Sequence, residues 1–325
     1  MVMKMIARVL ALGFGLLLAG AVHAQVPSYP NRPVRLVVPF APGGVVDVMA
    51  RLLAQKLGEA MGQSFYIENH GGAGGNIGTN IVARAEPDGY TILVVSSSFV
   101  LNPSLYAKLP YDSRKDFAAV TIASISPNVL VVHPSLPVRT VSELIDLVRK
   151  NPGKHSLGSS GIGTTPHFSG ELFRQSLNLD IVNVPFNGAG PALTSTVGGH
   201  VPIAFVAAPA AAQNVKQGLL RALAVTSEKR LPALPDVPTM AEAGFPGHEV
   251  YTLLSIFVPA ATPKAIVTAL YREIARVVVL PDIAEKFETM GFLAMATTPE
   301  ESAARINAEI DRWAKVVRDA NIKPQ

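Results

Sequence analysis

Short β-branched apolar runs alternate with longer stretches of helical periodicity along the first part of this chain, and this alternation constrains the fold most strongly. The run VRLVVPF (34–40) precedes VVDVMARLLAQKLGEAMG (45–62), and SFYIEN (64–69) precedes NIGTNIVARAEPDGY (76–90). TILVVS (91–96) predicts a third strand. Strand, turn, helix and strand in this order are typical of a parallel sheet with helices on both faces.

The alternation returns in the second half of the chain with different residues. The run NVLVVHP (128–134) precedes TVSELIDLVRKNPG (140–153), a helix for which Thr140 is the predicted N-cap. Further strands and helices are predicted at 220–227, 255–260, 263–279 and 299–319. The pattern predicts two α/β lobes with a cleft between them.

The first 24 residues differ from the rest. Lys4 and Arg8 form a positively charged start, and an uncharged apolar run follows at 9–22. The segment ends in Val22-His23-Ala24, which has small residues at the positions that signal peptidase requires. That run is short of the roughly 20 residues that a membrane-spanning helix needs. We predict a signal peptide cleaved after Ala24, with the mature chain in the periplasm and not inserted in the membrane.

Charge and cysteine content narrow the possible functions. The chain has 28 basic and 24 acidic residues, so removal of Lys4 and Arg8 leaves 26 − 24 = +2. Such a small and scattered excess is not typical of a nucleic-acid-binding surface. The absence of cysteine fits an exported protein that has no thiol to misoxidise.

Four glycine- and serine-rich turns follow predicted strands: APGG (41–44), HGGAGGNIG (70–78), SSS (96–98) and GSSGIGTTPH (158–167). Such turns present backbone N–H groups, and a helix that starts there adds about half a positive charge. Glycine and serine also form tight turns for purely structural reasons. Four of them in a chain with 16% charged residues favour an anion-binding site.

Nucleotide binding and hydrolysis are alternative uses of these turns. Residues 72–78 have a G-x-G-x-x-x-G spacing, but the stricter dinucleotide fingerprint and the phosphate-loop motif are absent. A serine hydrolase needs G-x-S-x-G, and Ile162 takes the place of the second glycine in GSSGI (158–162). The histidines have no convincing acidic partner nearby in sequence.

Binding without catalysis is the interpretation that fits best. The sequence contains no H-E-x-x-H, cysteine pair or calcium-binding loop, so neither a metal nor a cofactor is expected. Backbone N–H groups with serine, threonine and asparagine side chains can hold a carboxylate without arginine. Such a site would close by lobe movement.

Motifs along the whole mature chain resemble one protein family. Residues 29–78, from YPNRPVRLVVPFAPGG to HGGAGGNIG, are similar to the opening of the Bug family of periplasmic solute-binding proteins, the receptors of tripartite tricarboxylate transporters. Further matches are PDGYTIL, NPSLYAKLPYD, PNVLVVHPSLPVRTVSELI, GSSGIGTTPH, VPFNGAGPAL, GLLRALAVTSEKRLPALPDVPTMAEAG and RWAKVVRDANIKP. The resemblance extends from about residue 29 to residue 323.

The resemblance implies a two-lobed periplasmic-binding-protein fold of type II, each lobe being a mostly parallel sheet flanked by helices. Lobe I would comprise 25–124 and 223–325, and lobe II 125–222. A small carboxylate would lie between the lobes, held partly through ordered water. The partner would be the permease of a tripartite tricarboxylate transporter or, alternatively, the outer domain of a sensor kinase. We expect a monomer without catalytic activity.

Carried over motif by motif, the resemblance also implies the residues of the binding site. They are Phe40, Pro42, Gly43, Gly44 and Asp47 at the first turn, Gly74, Gly75, Asn76 and Ile77 at the glycine loop, Ser96, Ser97 and Ser98 after the third strand, and Ser159, Gly161, Thr164, Thr165 and His167 in lobe II.

The chain departs from the family pattern in ways that bear on the ligand. Val45 and Val46 precede Asp47, where many relatives have a hydroxyl side chain. Val206 stands where members often have an aspartate that can meet an amino-acid ammonium, and 253–254 is Leu-Leu where aromatic residues are frequent. An ammonium buried beside valine would cost several kcal/mol. We therefore expect a non-amino organic acid with an apolar body.

Overall fold

The computed structural model describes residues 29–186, 188–319, 322 and 324. The predicted signal peptide, residues 1–24, lies outside the described residues. The chain divides into two compact units, 1–31 and 32–325. In the described part of the first unit the Tyr29–Pro30 peptide bond is cis, and the second unit contains the strands and helices given below.

Strands and helices alternate along the second unit. The strands are β1 (Val34–Val38), β2 (Phe65–Asn69), β3 (Thr91–Val95), β4 (Phe117–Val132), β5 (Ser156–Ser159), β6 (Val182–Pro185), β7 (Ile203–Ala207), β8 (Arg221–Val225), β9 (Tyr251–Pro259) and β10 (Leu293–Ala294). The helices are α1 (Val45–Met61), α2 (Asn76–Ala83), α3 (Ser98–Leu105), α4 (Val141–Lys150), α5 (Thr165–Ser176), α6 (Ala189–Val197), α7 (Ala208–Lys216), α8 (Lys264–Val278), α9 (Pro281–Thr289) and α10 (Pro299–Asp319).

The strands pair in the order β2-β1-β3-β9-β4-β7-β5-β6, and β8 and β10 both pair with β4. β2, β1 and β3 are mutually parallel, as are β7, β5 and β6. Antiparallel pairing occurs around β4 and β9, in the middle of this order. The predicted α/β alternation with parallel strands is therefore confirmed on both sides of a central antiparallel crossing.

Strand β4 pairs with two groups of strands, each along a different part of its length. Residues Phe117 to Pro127 pair with β9, whereas Asn128 to Val132 pair with β7. We call β1, β2, β3, β9 and β10 the first half-sheet and β5, β6, β7 and β8 the second half-sheet. Because one strand serves both, the ends of strands from the two half-sheets come close together near its middle.

Aromatic packing fixes the first half-sheet against its helices. Phe99 of α3 stacks on Phe257 of β9 with ring centroids 4.1 Å apart, and Phe117 meets Phe99 edge to face at 5.1 Å. Trp313 of α10 lies 4.9 Å from Phe168 of α5. Full burial of each such side chain contributes about 1.5–3 kcal/mol. The two contacts of Phe99 hold α3 in a fixed position, and the third holds α10 against α5.

The predicted N-cap at Thr140, which depends only on residues close in sequence, agrees with the structure. The hydroxyl of Thr140 accepts a hydrogen bond from the backbone N–H of Glu143 at 3.1 Å, so the predicted N-cap of α4 is confirmed. The sequence-based prediction contains no helix at 98–105, whereas the structure has α3 there with Pro103 inside it. No helix in the described ranges combines the length and apolarity needed to cross a bilayer.

Candidate functional site

Three of the four glycine- and serine-rich turns meet at one cavity of about 420 Å³. Its described lining consists of Phe40, Gly74, Ser96, Ser97, Ser98, Leu101, Asn102, Leu105, Tyr106, Ser160, Ile162, Gly163, Thr164, Thr165, Pro166, Ala207, Thr252 and Ile322. Except for Thr252 and Ile322, these residues follow or end strands of both half-sheets, which is where open α/β sheets bind ligands.

A larger cavity of about 690 Å³ lies between α7, residues 231–233 and residues 288–293. Its lining contains none of the residues that the sequence predicted for the site. A ligand site is recognised by convergent polar groups within an apolar wall rather than by size alone. The smaller cavity, on which several hydroxyl groups converge, is therefore the candidate site.

The turn at 96–98 ties the site to strand β9. The hydroxyl of Ser97 donates to the carbonyl of Tyr251 at 3.1 Å and accepts from the N–H of Leu253 at 2.8 Å. Ser97 is also the N-cap residue of α3. Its hydroxyl therefore positions the helix N-terminus and Thr252 at the cavity, while Ser96 and Ser98 contribute the flanking hydroxyls.

The turn at 160–165 brings the N-terminus of α5 to the same cavity. The hydroxyl of Thr164 donates to the carbonyl of Gly161 at 2.7 Å and accepts from the N–H of His167 at 3.4 Å, which caps the helix. Gly161 has a φ of +119°, a conformation that favours glycine. The next residue, Thr165, lies 2.7 Å from Thr252 between the two hydroxyl oxygens.

Ser160 is a lining residue that the sequence-based prediction missed. Its hydroxyl oxygen is buried and has no hydrogen-bond partner among the described residues. A buried polar atom without a partner is uncommon in folded proteins, and it marks a place where a bound group would be stabilised. Ser160 lies within the motif GSSGIGTTPH, next to the predicted residues Ser159 and Gly161, so the motif itself is the sequence signal for it.

The glycine loop contributes one residue to the wall and packs its others behind it. Gly74 lines the cavity, and a Cβ on Gly75 would lie 3.4 Å from the hydroxyl of Ser98. Asn76 is buried and accepts hydrogen bonds from Asn102 and Tyr111, both at 2.7 Å. Burial raises the pKa of Tyr111 to about 12, so its hydroxyl remains a donor.

Four other predicted residues near these loops lie away from the described lining. Ile77 is 51% exposed, and its side chain reaches toward Gly72. The first turn supplies only Phe40 to the described lining, whereas Pro42, Gly43 and Gly44 are exposed.

Asp47 organises that first turn from below. Its carboxylate accepts from the N–H of Gly43 at 2.8 Å, from Arg51 at 2.9 Å and from Asn69 at 2.9 Å. Burial alone would raise its pKa, but these hydrogen bonds and the charge of Arg51 outweigh burial and lower the pKa. Asp47 is thus fully engaged by the protein.

Ser159 and His167 lie close together behind the wall. The hydroxyl of Ser159 is 3.3 Å from Nδ1 of His167. Burial lowers the pKa of His167, against an opposing effect of Glu171. Ser159 has no exposed surface and His167 is 6% exposed. The pair supports the end of β5 and the start of α5 from inside the fold.

Val206, Leu253 and Leu254, where the chain departs from the family pattern, do not line the cavity, but residues next to them in the sequence do. Val206 is fully buried in a hydrophobic cluster with Val129 and Val131, and its neighbour Ala207 lines the cavity. Leu253 and Leu254 are buried at 3% and 0% exposure, and the residue before them, Thr252, lines the cavity.

The described wall of the cavity is uncharged. Its polar groups are hydroxyls, the Asn102 amide and backbone groups, and neither a carboxylate nor a cationic side chain occurs in that wall. Among the described residues no group of three His, Cys, Asp or Glu side chains is placed to hold a metal ion. The arrangement is suited to hold an anion by neutral hydrogen-bond donors.

Comparisons with known proteins show the family of the chain. Residues 49–322 match the model of the tripartite tricarboxylate transporter family receptor. The chain is 35% identical to protein BugT of Bordetella pertussis over 324 residues, 99% of each protein.

Two solved structures carry named ligands. An R. palustris protein solved with adipate is 38% identical, with a TM-score of 0.75 over 91% of this chain and 100% of that one. MatC from Rhodopseudomonas palustris, solved with bound malate, is 33% identical, with a TM-score of 0.71 over 89% and 100%. The likeness to these structures, to a periplasmic transporter and to a TctC solute-binding protein from Polaromonas confirms the predicted two-lobed α/β fold.

Proposed function

The chain belongs to the tripartite tricarboxylate transporter receptor family, and from this premise we propose that it binds a small carboxylate outside the cytoplasmic membrane and passes it unchanged to a membrane permease. The relatives solved with adipate and malate support a carboxylate as the ligand. Export by the predicted signal peptide, residues 1–24, is part of the proposal.

The observation that carries this proposal is the meeting of two helix N-termini at one uncharged cavity. Ser97 is the N-cap residue of α3 and Thr164 is the N-cap residue of α5, and both residues line the cavity. Each N-terminus carries about half a positive charge. With the hydroxyls of Ser96, Ser98 and Thr165 around them, these termini would stabilise a carboxylate without a cationic side chain.

The proposed ligand is not an α-amino acid. The sequence-based prediction depends on Val206, and the structure places this residue in a hydrophobic cluster. The described lining gives an independent reason, since it offers no carboxylate to an ammonium group. Desolvation of an unpaired ammonium there would cost several kcal/mol.

We also propose that the protein does not catalyse a reaction on its ligand. Ser159 and His167 have the spacing of a nucleophile and a base, but both are buried behind the cavity wall. A nucleophile needs access to its substrate. Movement of the two predicted lobes, 25–124 with 223–325 and 125–222, would instead open and close the site about β4 and β9.

The proposal is tested by a thermal-shift screen of the purified protein with carboxylic acids, their amides and amino acids. A ligand at about a hundred times its Kd stabilises the folded state by about 2.7 kcal/mol, which raises Tm by a few degrees. We expect shifts with acids only. Mass spectrometry after incubation should recover the acid unchanged, and a converted product would contradict the proposal.

A matched pair of serine variants locates the binding site. Ser160→Ala removes a buried hydroxyl of the cavity wall, and we expect it to weaken binding by about 1–3 kcal/mol because the carboxylate is charged. Ser142→Ala removes an exposed hydroxyl from α4 and should leave the affinity unchanged. Equal affinities for both variants would place the site elsewhere.

A further inference from the structure

Helix α3 lines the candidate cavity along its whole length. The cavity-facing residues Ser98, Leu101, Asn102 and Leu105 recur at i, i+3, i+4 and i+7, which places them on one face of the helix. Seven residues at 1.5 Å each span about 10 Å. The cavity therefore has two ends, one at the N-terminus of α3 and the other at its C-terminus.

The end at the N-terminus is polar. Ser97 bonds to the residues on either side of Thr252, so Thr252 lies beside the start of α3. Thr252 in turn bonds to Thr165 at the start of α5. Three hydroxyl residues and two helix N-termini thus occupy the same end of the cavity.

The end at the C-terminus is apolar and is closed by a contact between the half-sheets. A Cβ added to Gly163, which follows β5, would lie 3.2 Å from Cδ1 of Leu105. Tyr106 comes next, and its hydroxyl lies against Gly74. Ile162, which precedes Gly163 in the chain, also lines the cavity. The phenol of Tyr106 is the one side-chain hydroxyl among the residues named in this paragraph.

The remaining polar side chain on this face of α3 is already engaged. Both donors of the Asn102 amide have acceptors, the carbonyl of Gly74 at 3.0 Å and Oδ1 of Asn76 at 2.7 Å. The carbonyl groups of the last turn of α3 give this end a partial negative charge. A carboxylate at the Leu105 end would be desolvated and repelled by the helix C-terminus, and it would lack the several hydroxyls and the two helix N-termini of the other end.

Building on the proposed function, we propose that the ligand lies along α3 with one carboxylate at the hydroxyl end and a hydrocarbon chain directed to Leu105. The protein would then prefer an unbranched monocarboxylate to the dicarboxylate of equal length. Leu105 and Gly163 would set the maximum length of the ligand. Adipate and malate each carry two carboxylates. This preference would therefore distinguish the chain from the relatives that were solved with these ligands.

Calorimetric titration of the purified protein with butanoate, hexanoate, octanoate and adipate tests the preference directly. We expect hexanoate to bind at least 10-fold more tightly than adipate. Adipate binding as tightly as hexanoate, or more tightly, would overturn the inference and leave the receptor function intact. If none of the acids binds but another class of compound does, the proposed function fails, and this inference fails with it.

Two substitutions of Leu105 test its role. Leu105→Ala enlarges the apolar end, so the preferred acid should become longer, with octanoate gaining at least 5-fold relative to hexanoate. Leu105→Lys supplies a cation there and should improve adipate binding at least 10-fold relative to hexanoate. An unchanged order of affinities in Leu105→Ala would overturn the role of Leu105.

The control for added charge is Val279→Lys, because Val279 is 62% exposed at the end of α8. This variant should keep the wild-type order of affinities. An equal gain in adipate binding by Val279→Lys and Leu105→Lys would show that net charge, and not the end of the cavity, governs the preference. Circular dichroism of each variant establishes that it is folded.

Discussion

The hydroxyl oxygens of Thr165 and Thr252 lie 2.7 Å apart, and this hydrogen bond joins the first residue of α5 to strand β9. Thr165 follows β5 of the second half-sheet, whereas Thr252 belongs to the first half-sheet. Both line the candidate cavity. The bond therefore couples the relative position of the half-sheets to the site itself.

Removal of one hydroxyl should weaken ligand binding. For Thr165→Ala we expect a loss of about 1 kcal/mol, or up to about 3 if the partner is a desolvated carboxylate. In a double-mutant cycle, Thr165→Ala and Thr252→Ala should be non-additive because the residues are in contact. Calorimetry measures both effects. Thr268→Ala, on the exposed face of α8, is the control, and strict additivity of the pair would contradict the coupling.

Asp47 should stabilise the fold rather than contact the ligand. Asp47→Asn weakens the bonds to Gly43 and Arg51, and we expect a loss of about 1–3 kcal/mol in the free energy of unfolding at pH 7. The folded-state pKa is lowered, so this contribution is present above the unfolded pKa and is lost as pH falls through the folded value. Urea unfolding at pH 7 and in acid measures it. Asp236→Asn, at an exposed position, should have little effect.

Gly291 should tolerate no side chain, for two separable reasons. Its φ is +69°, and a Cβ there would overlap the ring of Pro209 at the start of α7. Gly218 has a φ of +72° with nothing within 4 Å of a Cβ, so Gly218→Ala isolates the conformational cost of about 1–2 kcal/mol. Gly291→Ala should cost about 1–3 kcal/mol more through overpacking. Equal losses in urea unfolding would show that the contact with Pro209 relaxes freely.

His248 should make the protein less stable in mild acid. It is buried and bonded to Ser176 and Phe245. Burial lowers its pKa, and the hydrogen bonds with the backbone of Phe245 and Pro246 and the charge of Glu249 oppose this effect without cancelling it. The unfolded chain therefore binds a proton first, and stability falls as pH drops below about 6.5 toward the folded pKa.

His248→Gln removes this titration while keeping a polar side chain. The loss of unfolding free energy between pH 7.5 and pH 5.5 should be smaller in the variant than in the parent. Burial also lowers the pKa of His167, so replacement of His167 should likewise reduce the loss of unfolding free energy in mild acid. A pH dependence that is identical in His248→Gln and the parent would contradict the role of His248.

The sequence by itself determined the order and type of most strands and helices. The β-branched run VRLVVPF is short and is interrupted by proline, which favours a strand, whereas the long run at 45–62 has apolar residues at helical spacing. The cap at Thr140 depends on a residue three positions away. Local chemistry of this kind, together with the family motifs, also located the turns that build the site.

Only the tertiary structure decided which residue of each motif faces the cavity. Ser160 lines it while Ser159 is buried behind it, and Ala207 lines it while Val206 packs in the core. Successive residues of a strand point to opposite faces, so a shift of one position exchanges wall and interior. Which of the two faces the cavity depends on pairing between distant strands, and no short segment of the sequence contains that information.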